Sequence, residues 1–438
     1  PDTPLIFFTA LFFLCYKKFV NNLSLQNSLL LGISIALLFY SKYHATLIVF
    51  FTLLSNIRLF TKYQTYIAGT IAMFLFAPHL WWQYQHDWIS FRYHLFESNV
   101  NPFKISFTGN YILGQLLLPG PVAGFIILSA AFLYKPTNEM EKALRYTMIG
   151  IYGFFLLSSF RGKVEANWTS PVLISLMVLS HQFMYEKFKW QKILFLLLPI
   201  TLILVLFARI IMIVDILPVK AIKERYHSWK GWPEEMREKT TGLPIVFSNS
   251  YQRASKYWFY SGQMTYSQNW YKKRKNNYNF WPIEDSLLGK PVYFLDYYRS
   301  NRFPDSLKTP IGLIGFRYDS SFAFFARITI STDTKKIVIK EGEEILLKCH
   351  FEIPTNYSSF IRSHRFLNDT TRIGIFNSKG WIKDVFTGLS LQQMNEQKEI
   401  ELQIIPKLPA GKYYLLFSIN SGDYKGTHNS NKIELVIK

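Results

Sequence analysis

The turn "FRGKVEANWTSP" at residues 160–171 places charged and polar side chains between two long apolar runs. It contains Lys163, Glu165 and Asn167, followed by Trp168. As a surface ion pair, the lysine and the glutamate would contribute little. Ionisable groups near membrane depth are costly, however, and are usually kept for pairing or function. A lysine can stabilise an anionic leaving group, and a carboxylate can take a proton from an attacking hydroxyl. The turn therefore predicts an anion-binding site with an acid or base beside it.

Five more residues of these kinds stand at the ends of other apolar runs. They are Asp2, Lys42, His86, Asp87 and Arg92. Each has an ordinary explanation when taken alone. Asp2 can cap a helix, Lys42 can extend to the membrane surface, and Arg92 can pair with an acidic residue of its own loop. His86 and Asp87 lie in an aromatic belt. Convergence of all five on one side of a membrane would instead indicate a shared site.

The elements that must position these residues are helices that cross a bilayer. Eight apolar runs are long enough to do so. They cover residues 4–20, 26–41, 43–60, 65–82, 108–134, 142–160, 167–184 and 191–214. The fifth run contains "LLPGPVAG" at 117–124, whose prolines are expected to kink or divide it. The first half of the chain is therefore predicted to be a polytopic α-helical membrane domain.

Basic residues predict the orientation of these spans. Alternate short loops carry Lys17, Lys18, Arg58, Lys62, Lys135, Lys142, Lys187, Lys189 and Lys192. Such loops face the cytoplasm by the positive-inside rule. The other loops, which carry all the site candidates, are then extracytoplasmic, as is everything after the eighth span. Because these loops account for many of the cations, the net charge of +20 does not indicate nucleic-acid binding.

The chain is predicted to have three domains: the membrane domain at 1–215, an α/β segment at 216–320 and a β-sandwich at 321–438. Seven short runs of alternating character in the last domain are typical of an antiparallel β-sandwich of immunoglobulin-like type. The basic cluster "YKKRKNNY" at 271–278 is either a solvated loop or a contact with lipid headgroups or an anionic acceptor. The two cysteines, Cys15 and Cys349, indicate neither a disulfide framework nor a thiolate metal site.

Six segments of the chain resemble, in order, signatures of bacterial glycosyltransferase family 39. This family is related to dolichyl-phosphate-mannose protein mannosyltransferases and to the lipid A aminoarabinose transferase. The resemblance covers roughly residues 1–300. The segments are "PDTPLIFFTALFFL", "LLLGISIALLFYSKYHATLIV", "APHLWWQYQHDWISFRYHL", "KVEANWTSP", "PIVFSNSYQRASKYWFYSG" and "NNYNFWPIEDSLLGKPVYFLD".

This resemblance implies an inverting, membrane-integral glycosyltransferase of the GT-C type in a bacterial inner membrane. Its donor would be a polyprenyl-phosphate sugar, and its acceptor a lipid, a protein or a surface glycan at the extracytoplasmic face. The lysine of the "K-x-E-x-N-W" turn, Lys163, is expected to bind the donor phosphate, with Lys42 and Arg92. Asp2 matches the acidic residue of a "P-D-x-P-L" motif and is the first candidate base.

Glu165 and Asp87 are the alternative bases or bind sugar hydroxyls, whereas His86, Asn167 and Trp168 are expected to orient the sugar or the lipid phosphate. No cofactor or metal ligand set is predicted, and a divalent metal requirement stays open.

One departure from the family is serious. Its members carry an acidic pair upstream of the "P-D-x-P-L" motif, and that pair is usually assigned the role of base. The sequence begins at Pro1, so we expect a longer protein, and whether the sequence as given is active stays open. The alternatives are a non-catalytic, membrane-anchored protein for envelope assembly or binding and, less favoured, a transporter. A transporter would need charged or broken helices near the bilayer midplane.

Overall fold

The computed structural model describes residues 2–86, 88–94, 102–298, 300–364, 369–378, 380–422 and 424–438. The chain folds into two compact units, Pro1–Ile211 and Met212–Lys438. The first is helical, and the second contains every β-strand of the described residues. The predicted division into three domains stays a prediction.

The helices of the first unit follow the predicted apolar runs. They are α1 Asp2–Asn21, α2 Leu25–Ser41, α3 Ala45–Ser55, α4 Tyr63–Gln85, α5 Ile89–Arg92, α6 Ile105–Leu117, α7 Gly124–Leu133, α8 Glu139–Ser159, α9 Val172–Met184 and α10 Phe188–Ile213. The fifth run is divided into α6 and α7 at the proline-rich stretch, as expected. The third and seventh runs are shorter helices than predicted, because 3-10 turns occupy Ile57–Thr61 and Ala166–Thr169.

Two helices of the described residues, α1 and α10, are long and apolar enough to cross a membrane, and α2, α3, α7 and α9 are shorter apolar helices. In α10, 6% of the most apolar stretch is buried, and Phe195, Leu196 and Ile203 project outward. A helix that is apolar on all sides and so little covered by its own unit is suited to contact lipid. Crossing of the bilayer by eight segments stays a prediction.

Small residues let the helices of this unit approach closely. A side chain at Gly32 in α2 would meet the carbonyl of Ala68 in α4 at 2.7 Å, and one at Gly150 in α8 would overlap Phe51 in α3 at 2.4 Å. Close approach through glycine is typical of helices packed in membranes. The packing of α2 on α4 and of α3 on α8 fixes the helix ends from which the candidate site residues project.

The second unit begins with an α/β part. Its elements are α11 Lys220–Ile222, α12 Trp232–Lys239, β1 Ile245–Ser248, α13 Tyr251–Ser261, β2 Thr265–Gln268, α14 Ile283–Leu287, β3 Val292–Asp296, β4 Asp305–Thr309 and β5 Gly312–Asp319. The strand order is β2-β1-β3-β5-β4, with β1 parallel to β2 and β3, and with β5 antiparallel to β3 and β4. This is the small α/β arrangement that the sequence predicts.

Two further sheets follow. Their strands are β6 Thr329–Thr332, β7 Lys336–Ile339, β8 Ile345–Glu352, β9 Asp369–Asn377, β10 Gly380–Phe386, β11 Glu399–Ile404, β12 Gly411–Ser421 and β13 Ile433–Ile437, with helices α15 Thr355–Ser363 and α16 Leu391–Glu396. The orders are β10-β9-β12-β13-β7 and β11-β8-β6. Residues of both sheets, such as Leu347 of β8 and Phe417 of β12, share one apolar core.

Each of the seven predicted runs contains a strand, whereas β10, α15 and α16 are additional elements. The prediction that all strands are antiparallel is wrong for β7, which pairs with β13 in parallel. The immunoglobulin-like type stays a prediction. Cys15 and Cys349 are both free and buried.

Candidate functional site

The first residue of α1 joins three dispersed segments. Asp2 accepts a hydrogen bond from Lys42 Nζ on one carboxylate oxygen and from Asn167 Nδ2 on the other, each at 2.8 Å. Lys42 follows the last residue of α2 in an extended conformation, which turns its side chain away from that helix. Asn167 lies in the 3-10 turn between α8 and α9. The carboxylate thus holds a cation and an amide at one end of the helical bundle.

Ring contacts and hydrogen bonds bring the end of α4 to the end of the bundle that carries Asp2. The ring of His44 lies 5.3 Å from that of Trp168, between centroids. The neighbouring Tyr43 bonds to His79 of α4 at 2.8 Å and accepts a hydrogen bond from Gln83 of α4 at 2.9 Å. Four dispersed segments are therefore connected through Asp2, Tyr43 and His44.

The corner between α4 and α5 carries three further candidates. Gln83 binds Ser90 through both ends of its amide, at 2.9 and 3.2 Å, which fixes this corner. His86 stacks on Trp82 with 4.2 Å between ring centroids, so the histidine belongs to the predicted aromatic belt. Arg92 is exposed on α5. Asp87 lies outside the residues that the structure describes.

Lys163 and Glu165, two charged residues of the turn at 160–171, form an ion pair with each other. Lys163 Nζ lies 2.7 Å from Glu165 Oε1, and both side chains are exposed. Val164 between them is buried in the core, which directs its two neighbours outward. The following residues are held against α6, where Thr169 donates a hydrogen bond to Gln115. The pair is thus firmly positioned without joining the hydrogen bonds of Asp2.

Sequence reasoning does not find the links between the segments. Tyr43, His44, His79 and Gln83 are not among the candidates, yet they connect α2, α4 and the 163–168 turn. The sequence does carry one indication of these links: His79 and Gln83 are four residues apart, which places both on one face of a helix. The buried Nδ1 of His44 has no hydrogen-bond partner within the described part of the chain.

The described residues contain no group of three or more histidine, cysteine or acidic side chains that could hold a metal ion. Lys42, which is partly buried, and Lys163, which is exposed, can bind an anion, and nearby carboxylates can orient them or accept a proton.

Residues 1–82, which include Asp2, Lys42 and His79, match the family of dolichyl-phosphate-mannose-protein mannosyltransferases. The lipid A galacturonosyltransferase RgtD of Rhizobium johnstonii is 26% identical over 203 residues. The first segment of the chain is therefore similar to this mannosyltransferase family. The match to RgtD covers 44% of this chain and 42% of RgtD, so the chain spans well under half of that relative.

The match to the mannosyltransferase family lies within the helical unit, and the β-sheets lie outside it. The solved structures that resemble part of the chain include one from "Structural basis of T cell specificity and activation by the bacterial superantigen toxic shock syndrome toxin-1". It covers 25% of this protein and 99% of its own length, with 10% identity and a TM-score of 0.16. A likeness this weak carries no argument about the fold.

Proposed function

We propose that this protein is a membrane-integral inverting glycosyltransferase. It moves a sugar from a polyprenyl-phosphate donor to an acceptor at the extracytoplasmic face of a bacterial inner membrane. The observation that carries the proposal is the cluster of Asp2, Lys42 and Asn167, which joins dispersed segments at one end of the bundle. Two of these three residues lie in the segment that matches the mannosyltransferase family.

The reaction breaks the bond between the anomeric carbon and the carrier phosphate, and that phosphate leaves with the bonding electrons. An acceptor hydroxyl forms the new bond from the opposite side of the sugar ring, and its proton passes to a carboxylate. The leaving phosphate develops negative charge, which lysine or arginine stabilises best in this position. We assign this role to Lys163, Lys42 and Arg92.

The carboxylates have different roles in this proposal. Both oxygens of Asp2 already accept hydrogen bonds, so this residue is better suited to position Lys42 and Asn167 than to act as base. Glu165 has Lys163 as a partner on one oxygen and is exposed, which leaves it able to accept a proton or bind a sugar hydroxyl. Asp87 is the alternative base.

The remaining candidates would orient the donor. The ring of Trp168, packed against His44, supplies an apolar face for a sugar, and the stacked His86 lies in the belt where lipid headgroups reside. Asn167 would contribute an amide beside Lys42. The name of RgtD favours a lipid among the three acceptor classes, because that enzyme acts on lipid A.

The arrangement of helix ends supports a multi-pass topology. The start of α1, the end of α2 and the end of α4 meet around Asp2 and Tyr43, whereas the opposite ends meet where Gln64 donates a hydrogen bond to the carbonyl of Leu23. Helices that alternate in direction between two ends are expected for segments that cross a bilayer in turn. On this basis the second unit is extracytoplasmic.

We further propose an immunoglobulin-like sandwich for residues 321–438. The five-stranded order β10-β9-β12-β13-β7 and the three-stranded order β11-β8-β6 support this, because strands adjacent in sequence are divided between two sheets. In this proposal the sandwich holds the acceptor.

Replacement of Lys163 tests the proposal. The complete protein is reconstituted in liposomes with a panel of labelled polyprenyl-phosphate sugars, and both sugar transfer and release of the carrier phosphate are measured. Lys163→Ala is expected to lower transfer by about 100-fold, the loss typical of one transition-state contact. The matched control is Lys142→Ala, since Lys142 forms a comparably exposed pair with Glu139 at 2.8 Å.

Equal rates for the two variants would remove the phosphate-binding role. Sugar that crosses the bilayer still attached to its carrier would instead identify a transporter. Binding of an envelope component without any bond cleavage across the whole donor panel would identify an anchored binding protein.

A further inference from the structure

The outward face of α13 is unusually apolar. The helix buries Ala254, Tyr257 and Ser261 against the α/β sheet, at the spacing expected for one helical face. The opposite side carries Phe259, whose side chain is 82% exposed, flanked by the exposed Trp258 and Tyr260. A phenylalanine has no group that could hydrogen-bond with water. Exposure of three consecutive aromatic residues therefore indicates a surface that something else covers.

A second segment extends this surface. Trp281 is 45% exposed and lines a shallow cleft of about 610 Å³ together with Trp258 and Phe259. The cleft also contains two hydroxyl groups, those of Ser255 and Tyr278, which lie 3.2 Å apart and bond each other. We call Trp258, Phe259, Tyr260 and Trp281 the aromatic face.

A lysine borders the aromatic face. Lys256 is exposed on the same helix, and its ammonium lies 5.5 Å from the ring of Trp229. Lys230 is exposed beside that tryptophan in the sequence. Ring systems bordered by lysine are typical of segments that lie at a membrane surface, where the rings enter the headgroup region and the ammonium groups meet anionic lipids.

Chain connectivity brings this unit to the membrane. The apolar helix α10 ends at Ile213, and residues 214–219 separate it from α11, where the folded elements of the second unit begin. Six extended residues span at most about 20 Å, so the start of the unit cannot move far from the end of α10.

We propose that the aromatic face docks onto the interface of the lipid bilayer. A bilayer fits the face better than a glycan does, because the hydroxyls of the cleft bond each other and leave few polar groups for sugar hydroxyls. Docking would fix the orientation of the second unit at the membrane surface. The inference requires that the chain is held in a membrane, and it does not depend on which reaction the protein catalyses.

Depth-dependent fluorescence quenching tests the docking. In the complete protein in lipid nanodiscs, Phe259→Cys is labelled with the environment-sensitive dye NBD, and the native cysteines are buried. A nitroxide attached high on the acyl chains is expected to quench this dye several-fold more than a dye at Phe386→Cys. The matched control site is 66% exposed and equally apolar, but lies on β10.

Similar lipid quenching at the two sites would overturn the proposal, and so would a dye at position 259 that aqueous iodide quenches freely in nanodiscs. Protection from iodide by an acceptor oligosaccharide in detergent, without lipid quenching, would identify a glycan as the occupant instead. Sugar transfer is measured on the same samples. Absence of transfer by the unsubstituted protein across the donor panel, with lipid quenching at position 259 intact, would contradict the proposed function and leave the docking standing.

Discussion

Two aspartates, one in each unit, both accept hydrogen bonds from charged and polar side chains, but they differ in the number of these bonds and in their exposure to solvent. Asp2 in the helical unit accepts hydrogen bonds from Lys42 and Asn167, and its side chain stays 34% exposed. Asp384 on β10 of the second unit is 13% exposed. Its oxygens accept hydrogen bonds from four side chains, those of Tyr271, Lys272, Arg372 and Trp381.

The four donors give Asp384 a structural role. Burial raises the pKa of this carboxyl, but the hydrogen bonds from Tyr271, Trp381 and Lys272 outweigh burial and lower it overall. Tyr271 and Lys272 are the first residues of the basic cluster at 271–278. They hold the α/β part against the β9–β10 edge, so neither the solvated-loop nor the headgroup interpretation applies to these two residues.

The difference concerns the lone pairs that remain. A carboxylate that accepts four hydrogen bonds has little capacity left for a ligand, whereas one that accepts two and faces solvent can still bind or respond to one. Charge pairing alone therefore does not identify a functional site. Incomplete pairing at an accessible surface leaves a carboxylate able to contact a ligand.

The largest expected effect on sugar transfer comes from removing the charge of Asp2, the aspartate that remains accessible. Asp2→Asn weakens the hold on Lys42, and we expect the rate of sugar transfer to fall by about 100-fold, or about 2.7 kcal/mol of barrier. Because Asp2 acts through Lys42, the loss should appear largely as weaker binding of the polyprenyl-phosphate donor, and Asp2→Glu should restore part of it.

The control is Asp305→Asn, an exposed aspartate on β4. Unchanged donor binding in Asp2→Asn would contradict the positioning role, whatever happens to the maximal rate.

Replacement of Asp384, whose oxygens accept four hydrogen bonds, should instead lower stability. Asp384→Ala leaves Lys272 and Arg372 without their carboxylate, and removal of one partner from a buried charge cluster costs roughly 3 kcal/mol. We expect the unfolding midpoint of the second unit, followed by pulse proteolysis of the complete protein, to fall accordingly. Asp333→Ala is the control, since Asp333 pairs with His350 at the surface. A comparable shift in both variants would show that the buried Asp384 supports the fold no more than an exposed aspartate does.

A third carboxylate is buried without any cation among its hydrogen-bond partners. Glu284 is held by Tyr357, by the backbone N–H of Ala326 and by Tyr266, at 2.9, 3.0 and 3.1 Å. Burial raises its pKa to about 7 in spite of these hydrogen bonds. The folded state then binds a proton at Glu284 more tightly than the unfolded state does. Protonation of Glu284 therefore stabilises the fold, and this contribution is fully present below about pH 4.5 and is lost as the pH rises to about 7.

Glu284→Gln should therefore flatten the fall in unfolding free energy across that pH range by roughly 3 kcal/mol. Denaturation of the complete protein at several pH values measures this, with the exposed Glu352→Gln as control. An unaltered pH profile in Glu284→Gln would assign the dependence to other groups.

The smallest effect on stability is expected for the exposed ion pair of Lys163 and Glu165. Lys163→Ala removes a solvent-exposed ion pair, which contributes less than about 1 kcal/mol. Thermal unfolding of the variant should match that of Lys142→Ala. A marked loss of stability would show that Lys163 supports the fold and would weaken any functional conclusion drawn from its replacement.

The sequence predicts the parts of this protein that depend on local patterns. Apolar runs predict the helices, the prolines near 117–124 predict the division of α6 from α7, and alternating residues predict most strands. The sequence also predicts that Asp2, Lys42 and Asn167 converge, because one loop orientation places all three at the same end.

Long-range pairings cannot be predicted in the same way. Asp384 and Tyr271 are separated by 113 residues, and no local pattern distinguishes this aspartate from exposed ones. The sequence does not predict strand β10, because its residues are partly buried without a regular alternation. The separation of Lys163 from Asp2 depends on the burial of Val164, which only the packed turn reveals.

The parallel pairing of β7 with β13 has a consequence for biosynthesis. Residues 336–339 pair in the sheet with residues 434–437, which the ribosome delivers much later. Until then, β7 and one edge of β12 remain unpaired, and exposed strand edges are prone to associate with other chains. A nascent chain would therefore benefit from a holding chaperone during that interval.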